Sequence, residues 1–338
     1  MFINSSKIIF FSCLILGTLL AVSSNSWLGA WMGLEINLLS FIPLMSNLKN
    51  ILSNESALKY FLVQALASSI LLFSVILFFV NSSYLIIKYQ PLSQLMINSA
   101  LLLKMGAAPF HFWFPSVMEN LSWINCLILM TWQKLAPLML ISYCFYSDFI
   151  YLITLFSLLI GAIGGFNQLN LRSLMAYSSI SHLGWMLVSM IYSETLWITY
   201  YLFYILLSSI MVLFFQSFSL FFINQMYSMN FNPYMKFMMM TNMLSLGGLP
   251  PFLGFMPKLL VINLLSSNQM YFMIFLMVML TLITLFYYLR ITYSAFMLMY
   301  PSFKWLNSSL NTKINFHVYL NTISILGFPL ISLIYSLY

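Results

Sequence analysis

The sequence has 338 residues, of which 62% are hydrophobic and only 5% are charged. Soluble domains carry about 25% charged residues, so 12 basic and 5 acidic side chains cannot cover the surface of a soluble protein of this length. The composition therefore excludes a soluble protein and indicates a polytopic membrane protein. Its three cysteines, Cys13, Cys126 and Cys144, are scattered through apolar segments without a CxxC pair, which gives no sign of a disulfide or a metal site.

Eleven apolar segments are long enough to cross about 30 Å of hydrocarbon as helices. In chain order they cover 3–22, 26–46, 57–80, 92–118, 122–143, 149–168, 173–192, 195–223, 236–264, 270–298 and 316–337. The first has no small-residue cleavage site, so we interpret it as a retained span and not as a signal peptide. The expected fold is therefore an all-α polytopic membrane protein with about 11 transmembrane helices.

Charges in the connecting loops are distributed unevenly between the two sides of this arrangement. The side that holds the N-terminus has seven basic residues, namely Lys7, Lys49, Lys59, Arg172, Lys236, Lys304 and Lys313. The opposite side has Lys88, Asp148 and Glu194. Basic loops remain on the cytoplasmic side or its organellar equivalent, so the N-terminus is expected there. The tryptophans at 27, 31, 113 and 123 are candidates for the aromatic belt at the membrane surface.

A motif of the form GxxPFxxxxP occurs twice. The first copy covers 106–115 in span four, and the second covers 248–257 in span nine. Proline interrupts a helix, so both spans are expected to be broken. Copies five spans apart run through the membrane in opposite directions, which indicates an inverted repeat. The predicted organisation is a first five-helix repeat at 1–145, a second, inverted one at 146–300, and a loop with a C-terminal transmembrane helix at 301–338.

Three charged residues fall within the first repeat at membrane depth. Glu35 lies at the centre of span two, Lys104 precedes the first Gly-Pro break, and Lys134 lies past the middle of span five. A charge near the bilayer centre costs about 2.5–3.5 kcal/mol on insertion scales, so such residues are functional-site candidates. The alternatives are a lysine that snorkels to the surface beside a tolerated kink and a glutamate that burial keeps neutral.

The remaining candidates are two histidines and a lysine. His182 lies in span seven among the serines of 178–181; it is a candidate proton carrier or a residue in an ordinary interhelical hydrogen bond. Lys258 lies late in span nine, where the break at 250–251 would bring it inward from the surface. His111 follows the first break and is either a gate or a polar contact.

These residues fit a proton relay better than any other chemistry. Burial lowers the pKa of a lysine in general and a nearby carboxylate raises it, so a lysine can load and release a proton when a partner moves. The sequence has no GxGxxG after a strand, no P-loop, no cysteine cluster and no paired-histidine haem pattern. We therefore expect no cofactor and no metal in this chain, and energy that arrives from a partner or an ion gradient.

Five sequence blocks carry a family resemblance: GLEINLLSFIPLM, LLLKMGAAPFHFWFPSVMENLSW, LMTWQKLAP, AYSSISHLGWM and GGLPPFLGFMPK. Together they resemble the antiporter-like subunits of respiratory complex I, and the resemblance covers the whole chain. It implies a proton channel of two inverted five-helix bundles in the mitochondrial inner membrane. By motif it assigns Glu35, Lys104, Lys134 and Lys258 to the relay. It also implies that NADH, FMN, the iron–sulfur clusters and ubiquinone bind to partner subunits, and that other membrane-arm subunits, including antiporter-like neighbours, surround this chain.

Two other functions stay open on the sequence. One is a stand-alone cation/proton antiporter of the related multisubunit type, and the other is a structural scaffold whose charges merely pair. Only two arginines, Arg172 and Arg290, and 26 methionines disfavour a bacterial antiporter. Proton pumping after substitution of Lys104 would separate a channel from a scaffold.

Overall fold

The computed structural model describes residues 5–47, 50–83, 90–228 and 233–297, together with 321, 322, 324, 325 and 327. Within these ranges the chain forms fourteen helices. Eight of the described segments are long and apolar enough to cross a membrane. The expected all-α polytopic fold is therefore confirmed. The chain divides into two compact units, 1–157 and 158–338, which are described separately.

The first unit contains seven helices and the beginning of an eighth. They are α1 (Ser5–Ser23), α2 (Trp27–Met45), α3 (Ile51–Ser83), α4 (Gln90–Met105), α5 (Trp113–Met118), α6 (Trp123–Met130), α7 (Trp132–Tyr143) and α8 (Ser147–Gly164), which continues into the second unit. Ser26 caps α2, because its Oγ accepts a hydrogen bond of 3.2 Å from the Gly29 backbone N–H. At Gly33 an added Cβ would lie 2.5 Å from the backbone N of Ala21, so small residues let α1 and α2 pack backbone to backbone.

The third helix begins before the apolar segment that predicted it. The apolar run starts at 57, whereas α3 starts at Ile51. Glu55 lies in this added part of the helix and pairs with Lys59, four residues later, with the Nζ and Oε1 atoms 2.6 Å apart. Pairs at this spacing lie on one helix face and support a polar turn outside the hydrocarbon.

The second unit contains the end of α8 and six further helices. They are α9 (Leu171–Tyr192), α10 (Glu194–Ser217), α11 (Ile223–Ser228), α12 (Pro233–Gly247), α13 (Phe255–Ser267) and α14 (Tyr271–Met297). Asn242 of α12 hydrogen-bonds to Asn321, and the Leu253 N–H donates to the Ser324 carbonyl over 3.2 Å. The described residues of the C-terminal segment therefore pack against α12 and the loop after it. Most of the predicted span 316–337 lies outside the described residues.

Both predicted breaks are present, and one further break is not predicted by the sequence. Span four is divided between α4 and α5, and span nine between α12 and α13. Span five is interrupted at Thr131, which separates α6 from α7 with φ −108° and ψ −80°. The Thr131 hydroxyl donates to the Leu127 carbonyl over 2.7 Å, and such local bonds bend helices.

The two predicted breaks end their helices in the same way. Gly106 and Gly248 have φ values of +74° and +84°, which L side chains rarely adopt. The N–H of Ala107 donates to the Leu102 carbonyl over 3.1 Å, and that of Leu249 donates to the Leu244 carbonyl over 3.3 Å. This is the Schellman arrangement, which requires a left-handed residue after the helix. The glycine that opens each copy of the motif is therefore the helix terminator.

Substitution of Gly248 by alanine tests this requirement. A left-handed alanine costs about 1–2 kcal/mol, and the added Cβ would lie 2.7 Å from Lys258 Nζ. We expect less assembled protein on native gels and a lower thermal stability. Gly247→Ala is the matched control, because that helical residue would meet no atom nearer than 3.3 Å. Equal stability of the two variants would contradict this explanation of the second break.

Candidate functional site

In the first unit, Glu35 and Lys104 lie near each other without forming an ion pair. Glu35 is half-buried in the middle of α2, and Lys104 lies in the last turn of α4 with 6% of its surface exposed. Lys104 lines a small cavity together with Leu34 and Leu38, which flank Glu35 on α2, and no ion pair joins Lys104 to the carboxylate. Lys104 Nζ is buried and has no hydrogen-bond partner among the described residues. The structure therefore holds a buried amine that makes no hydrogen bond to the described protein atoms around it.

The carbonyl groups at the end of α4 are satisfied by other residues, so Lys104 is not needed as a cap. Gln64 of α3 donates from Nε2 to the Lys104 carbonyl over 3.2 Å. Trp113 of α5 donates from Nε1 to the Leu103 carbonyl over 3.1 Å. Trp113 is buried, so its assignment to the aromatic belt is wrong. Its indole instead fastens the segment after the break to the helix before it.

A small polar cavity adjoins Lys104. About 10 Å³ is available to the centre of a water molecule, which is close to the room that one water needs. Beside Leu34, Leu38 and Pro137, the lining consists of Lys104 and four uncharged polar residues, Asn37, Tyr60, Gln64 and Gln133. These four residues were not predicted from the sequence, although an amide side chain inside an apolar span is itself a signal of interhelical hydrogen bonding.

Gln133 of α7 links its own helix to two others at this cavity. Its Nε2 donates to Asn37 Oδ1 over 2.8 Å, and its Oε1 lies 3.4 Å from the Tyr60 hydroxyl, which donates to it. Asn37 belongs to α2 and Gln133 to α7, while Tyr60 belongs to α3. Three helices are therefore linked by neutral polar groups next to Lys104.

Lys134 is the third residue of α7 and has 1% of its surface exposed. Its Nζ lies 4.9 Å from the centroid of the Phe114 ring, a cation–π geometry. Phe114 belongs to α5, directly after the first break. A cation in the first turn of a helix is disfavoured by the helix dipole, so this position suits a lysine that changes its charge.

His111 lies in the turn between α4 and α5, and its ring is buried. Its Nδ1 is 3.3 Å from the Pro109 carbonyl, and a carbonyl only accepts, so Nδ1 carries the proton. The ring also packs on Phe112 at a centroid distance of 4.4 Å. His111 therefore makes a polar contact, which was one of the two roles considered for it. The other role, as a gate, stays a prediction.

In the second unit, His182 lies in the middle of α9 and is buried. Its Nδ1 is 2.9 Å from the Tyr200 hydroxyl of α10, so it takes part in an interhelical hydrogen bond. The hydroxyls of Ser178 and Ser181 donate to carbonyls of their own helix over 2.9 and 2.7 Å. His182 thus lies among polar groups, as the sequence predicts.

Lys258 is the fourth residue of α13, and 6% of its surface is exposed. Its Nζ donates to the Gly247 carbonyl over 2.8 Å, at the end of α12. The break places the lysine at the end of the preceding helix and inward from the surface; only the inward position was predicted from the sequence. Lys236, also 6% exposed, is a buried lysine of α12, although the charge pattern of the sequence predicted that it would lie in a loop. Among the described residues, no group of three or more His, Cys, Asp or Glu side chains could hold a metal ion.

The family model for the transmembrane region of NADH:quinone oxidoreductases and Mrp antiporters matches residues 24–284. The chain belongs to this family. NADH-ubiquinone oxidoreductase chain 2 of Anopheles gambiae is 56% identical to it over 98% of both chains, and that of Aedes aegypti is 58% identical over 98% of both.

Two solved structures share the fold. A chain of respiratory complex I from Thermus thermophilus with bound aureothin has a TM-score of 0.84 and 23% identity over 96% of this chain and 78% of that one. A chain of the Mrp complex from Dietzia sp. DQ12-45-1b has a TM-score of 0.74 and 19% identity over 82% of this chain and 58% of that one. Together with the relatives of nearly full length, these findings make the chain a multi-pass membrane protein of mitochondria.

Gln133→Leu tests the link between helices beside Lys104. The substitution leaves the buried Asn37 Oδ1 without its donor, and an unsatisfied buried polar group costs about 1–3 kcal/mol. We expect a lower melting temperature of the assembled protein. Ser69→Ala on α3 is the control, because its exposed hydroxyl bonds only to Leu66 of its own helix. A Gln133→Leu protein as stable as the control would show that the link contributes nothing.

Proposed function

We propose that this chain is an antiporter-like membrane subunit of respiratory complex I that conducts protons across the mitochondrial inner membrane. The relay consists of Glu35, Lys104, Lys134, His182 and Lys258, with His111 as a weaker candidate. One observation supports the proposal above the others: each of the three relay lysines is buried within four residues of an interrupted helix end.

Lysines at helix interruptions suit proton conduction for a physical reason. An interruption frees backbone groups, which at membrane depth must bond to protein or to water that enters the site. A buried lysine is costly as an ammonium but not as a neutral amine, so its charge responds to small changes in its surroundings. A water-accessible lysine at a break can therefore accept a proton from one side and release it to the other.

Glu35 supplies the change of surroundings in this proposal. A carboxylate close to Lys104 favours the ammonium, whereas its withdrawal leaves burial to favour the neutral amine. No ion pair joins the two side chains in this structure, and the cavity beside Lys104 has room for one water. We infer that they approach to direct or water-bridged contact in another state, and that their separation passes the proton toward Lys134.

The redox chemistry belongs to other subunits in this proposal. NADH, FMN, the iron–sulfur clusters and ubiquinone bind to those partners, and this chain contributes no cofactor site. Neighbouring antiporter-like subunits and lipid surround it. Electron transfer in the partners then drives the rearrangement of Glu35 and Lys104.

A second candidate function is a cation/proton antiporter subunit of the Mrp type, which the fold shared with the Dietzia chain supports. A structural scaffold is the third. The near-complete match to two insect complex I chains favours the first function. Migration with flavin and iron–sulfur proteins on a native gel separates it from the second, and the substitutions of Lys104 described below separate it from the third.

The proposal includes an orientation, with the N-terminus in the matrix and the C-terminus in the intermembrane space. It follows from eleven spans and from the excess of basic residues in the loops of the N-terminal side, which remains when the buried Lys236 is left out. Epitope tags at each end should behave differently when a protease is added to mitochondria without an outer membrane. The C-terminal tag should be cleaved and the N-terminal tag protected; two tags on the same side would overturn the orientation.

Substitutions of Lys104 test the relay directly. Lys104→Ala removes the proton-carrying amine, so we expect proton pumping by the assembled complex to be abolished or sharply reduced. Lys104→Arg should also fail, because a guanidinium scarcely deprotonates. Glu35→Gln should reduce pumping more mildly, because it removes the modulator and keeps the carrier. Pumping is measured as proton translocation during NADH oxidation in membrane vesicles.

Assembly is followed for each variant on native gels, where a subunit of complex I migrates with the flavin and iron–sulfur proteins. Lys59→Ala is the matched control, because this exposed lysine of the same unit pairs only with Glu55 at the surface. Its pumping should equal that of the unchanged protein. Full pumping by an assembled Lys104→Ala complex would make the lysine structural and exclude the proposed relay.

A further inference from the structure

The described residues of the C-terminal segment contact the second break with one helix face. Asn321, Ser324 and Gly327 follow one another at intervals of three residues, and all three are buried. Residues at this spacing lie on the same face of a helix. A buried amide or hydroxyl is costly unless it is hydrogen-bonded, so the partners of Asn321 and Ser324 should explain why this face is polar.

Both polar side chains bond to the helix that precedes the break. Asn242 donates from Nδ2 to Asn321 Oδ1, and its own Oδ1 accepts from the Ser324 hydroxyl. Asn242 is a buried residue of α12 and lies six residues before Gly248, the left-handed glycine that ends this helix. One amide of α12 is therefore held by two side chains of the C-terminal segment.

The same segment also holds the turn that follows the break. The Leu253 N–H donates to the Ser324 carbonyl over 3.2 Å, and the Leu253 carbonyl accepts from the Met256 N–H over 3.2 Å in the first turn of α13. A Cβ added to Gly327 would overlap the Leu253 side chain, so these two residues also pack closely. Ser324 thus bonds to both sides of the break, through its hydroxyl to α12 and through its carbonyl to the turn that leads into α13.

The first break is fastened by a residue that the second break does not have. At the first break the Trp113 indole donates to the Leu103 carbonyl and joins the segment after the break to the helix before it. When the two motif copies are aligned on their glycines, Phe255 takes the place of Trp113, and each of these residues begins the helix after its break. A phenylalanine side chain has no N–H to donate. The contact made by Ser324 supplies the second break with the fastening that an indole gives the first.

We propose that Asn321 and Ser324 are positioning residues, which fasten the second break and thereby hold Lys258 at the Gly247 carbonyl. This inference rests on the proton-conducting function proposed above and adds the C-terminal segment to it. Lys258 lies in the first turn of α13, directly after the turn that Ser324 holds, and its Nζ donates back to the Gly247 carbonyl over 2.8 Å.

The position of the Lys258 amine depends on the backbone on both sides of the break. A lysine has a flexible stem, so its amine keeps one position only while α12 and α13 are held together. A separation of about 1 Å would take a hydrogen bond of this length out of range and leave the Gly247 carbonyl without its donor at membrane depth. The charge of a buried lysine responds to such a change in its surroundings. A fastened break therefore keeps the amine in one setting through each transfer of a proton.

The test uses Ser324→Ala and Asn321→Leu in the assembled complex. The first removes the hydroxyl that bonds to Asn242, and the second removes the acceptor of the Asn242 amide at nearly the same side-chain volume. We expect the protons translocated per NADH oxidised to fall in both variants, and the pH profile of pumping to shift because the Lys258 amine would lie in different surroundings. A contact that is merely structural would lower the amount of assembled complex on native gels and leave the pH profile of the remainder unchanged.

Ser189→Ala is the matched control. It removes a buried hydroxyl from the same unit, and this hydroxyl donates to the Met186 carbonyl of its own helix over 2.7 Å. Its proton stoichiometry and its pH profile should equal those of the unchanged protein. Lys258→Met, which removes the amine itself, gives the level of pumping that a lost carrier produces.

The results distinguish failure of this inference from failure of the proposed function. Normal stoichiometry and an unshifted profile in Ser324→Ala and Asn321→Leu, with loss of pumping in Lys258→Met, would overturn the positioning role and leave the relay intact. Normal pumping in Lys258→Met as well would remove that lysine from the relay. If only one of the two variants assembles, its pH profile decides. Failure of both to assemble would make the contact a requirement of folding and would also overturn its assignment to the relay.

Discussion

The constraint on which the structure depends is that every backbone polar group at membrane depth needs a partner. A continuous helix meets this requirement by itself, whereas a broken one leaves carbonyl groups at its end. At the end of α4, the Leu102 carbonyl accepts from Ala107, and the Leu103 and Lys104 carbonyls accept from Trp113 and Gln64. Three consecutive carbonyl groups are thereby satisfied without any contribution from the Lys104 amine.

The second break meets the same requirement with a different set of donors. The Leu244 and Ser245 carbonyls accept from the N–H groups of Leu249 and Gly248, which repeats the arrangement of the first break. The Gly247 carbonyl accepts instead from Lys258 Nζ. The two copies of the motif therefore share their glycine terminator but differ in where the lysine amine is held. This agrees with the sequence, in which Lys104 precedes the glycine of its motif and Lys258 follows the glycine of its own.

The sequence was enough to locate features that depend on a few residue types with strong preferences. Glycine and proline predicted both motif breaks, and charges in apolar segments predicted the buried positions of Lys104, Lys134 and Lys258. It did not predict the break at Thr131, because threonine is tolerated in helices and bends them only in some settings. It also did not single out Gln133 or Tyr60. In a chain with 21 tyrosines and many polar amides, only the packing of helices shows which of them meet.

The capping of the breaks has a consequence for how the lysines can change charge. At the first break Gln64 and Trp113 hold the carbonyl groups, and these donors are neutral whatever the state of Lys104. At the second break Lys258 itself is the donor to Gly247, and a neutral amine still has N–H groups to donate while its lone pair accepts a proton. In both cases the end of the helix would stay satisfied through the cycle of proton uptake and release that the proposed relay requires. A lysine whose charge was needed to hold the backbone could not titrate without unravelling the helix; the two ends seen here avoid that conflict by different means.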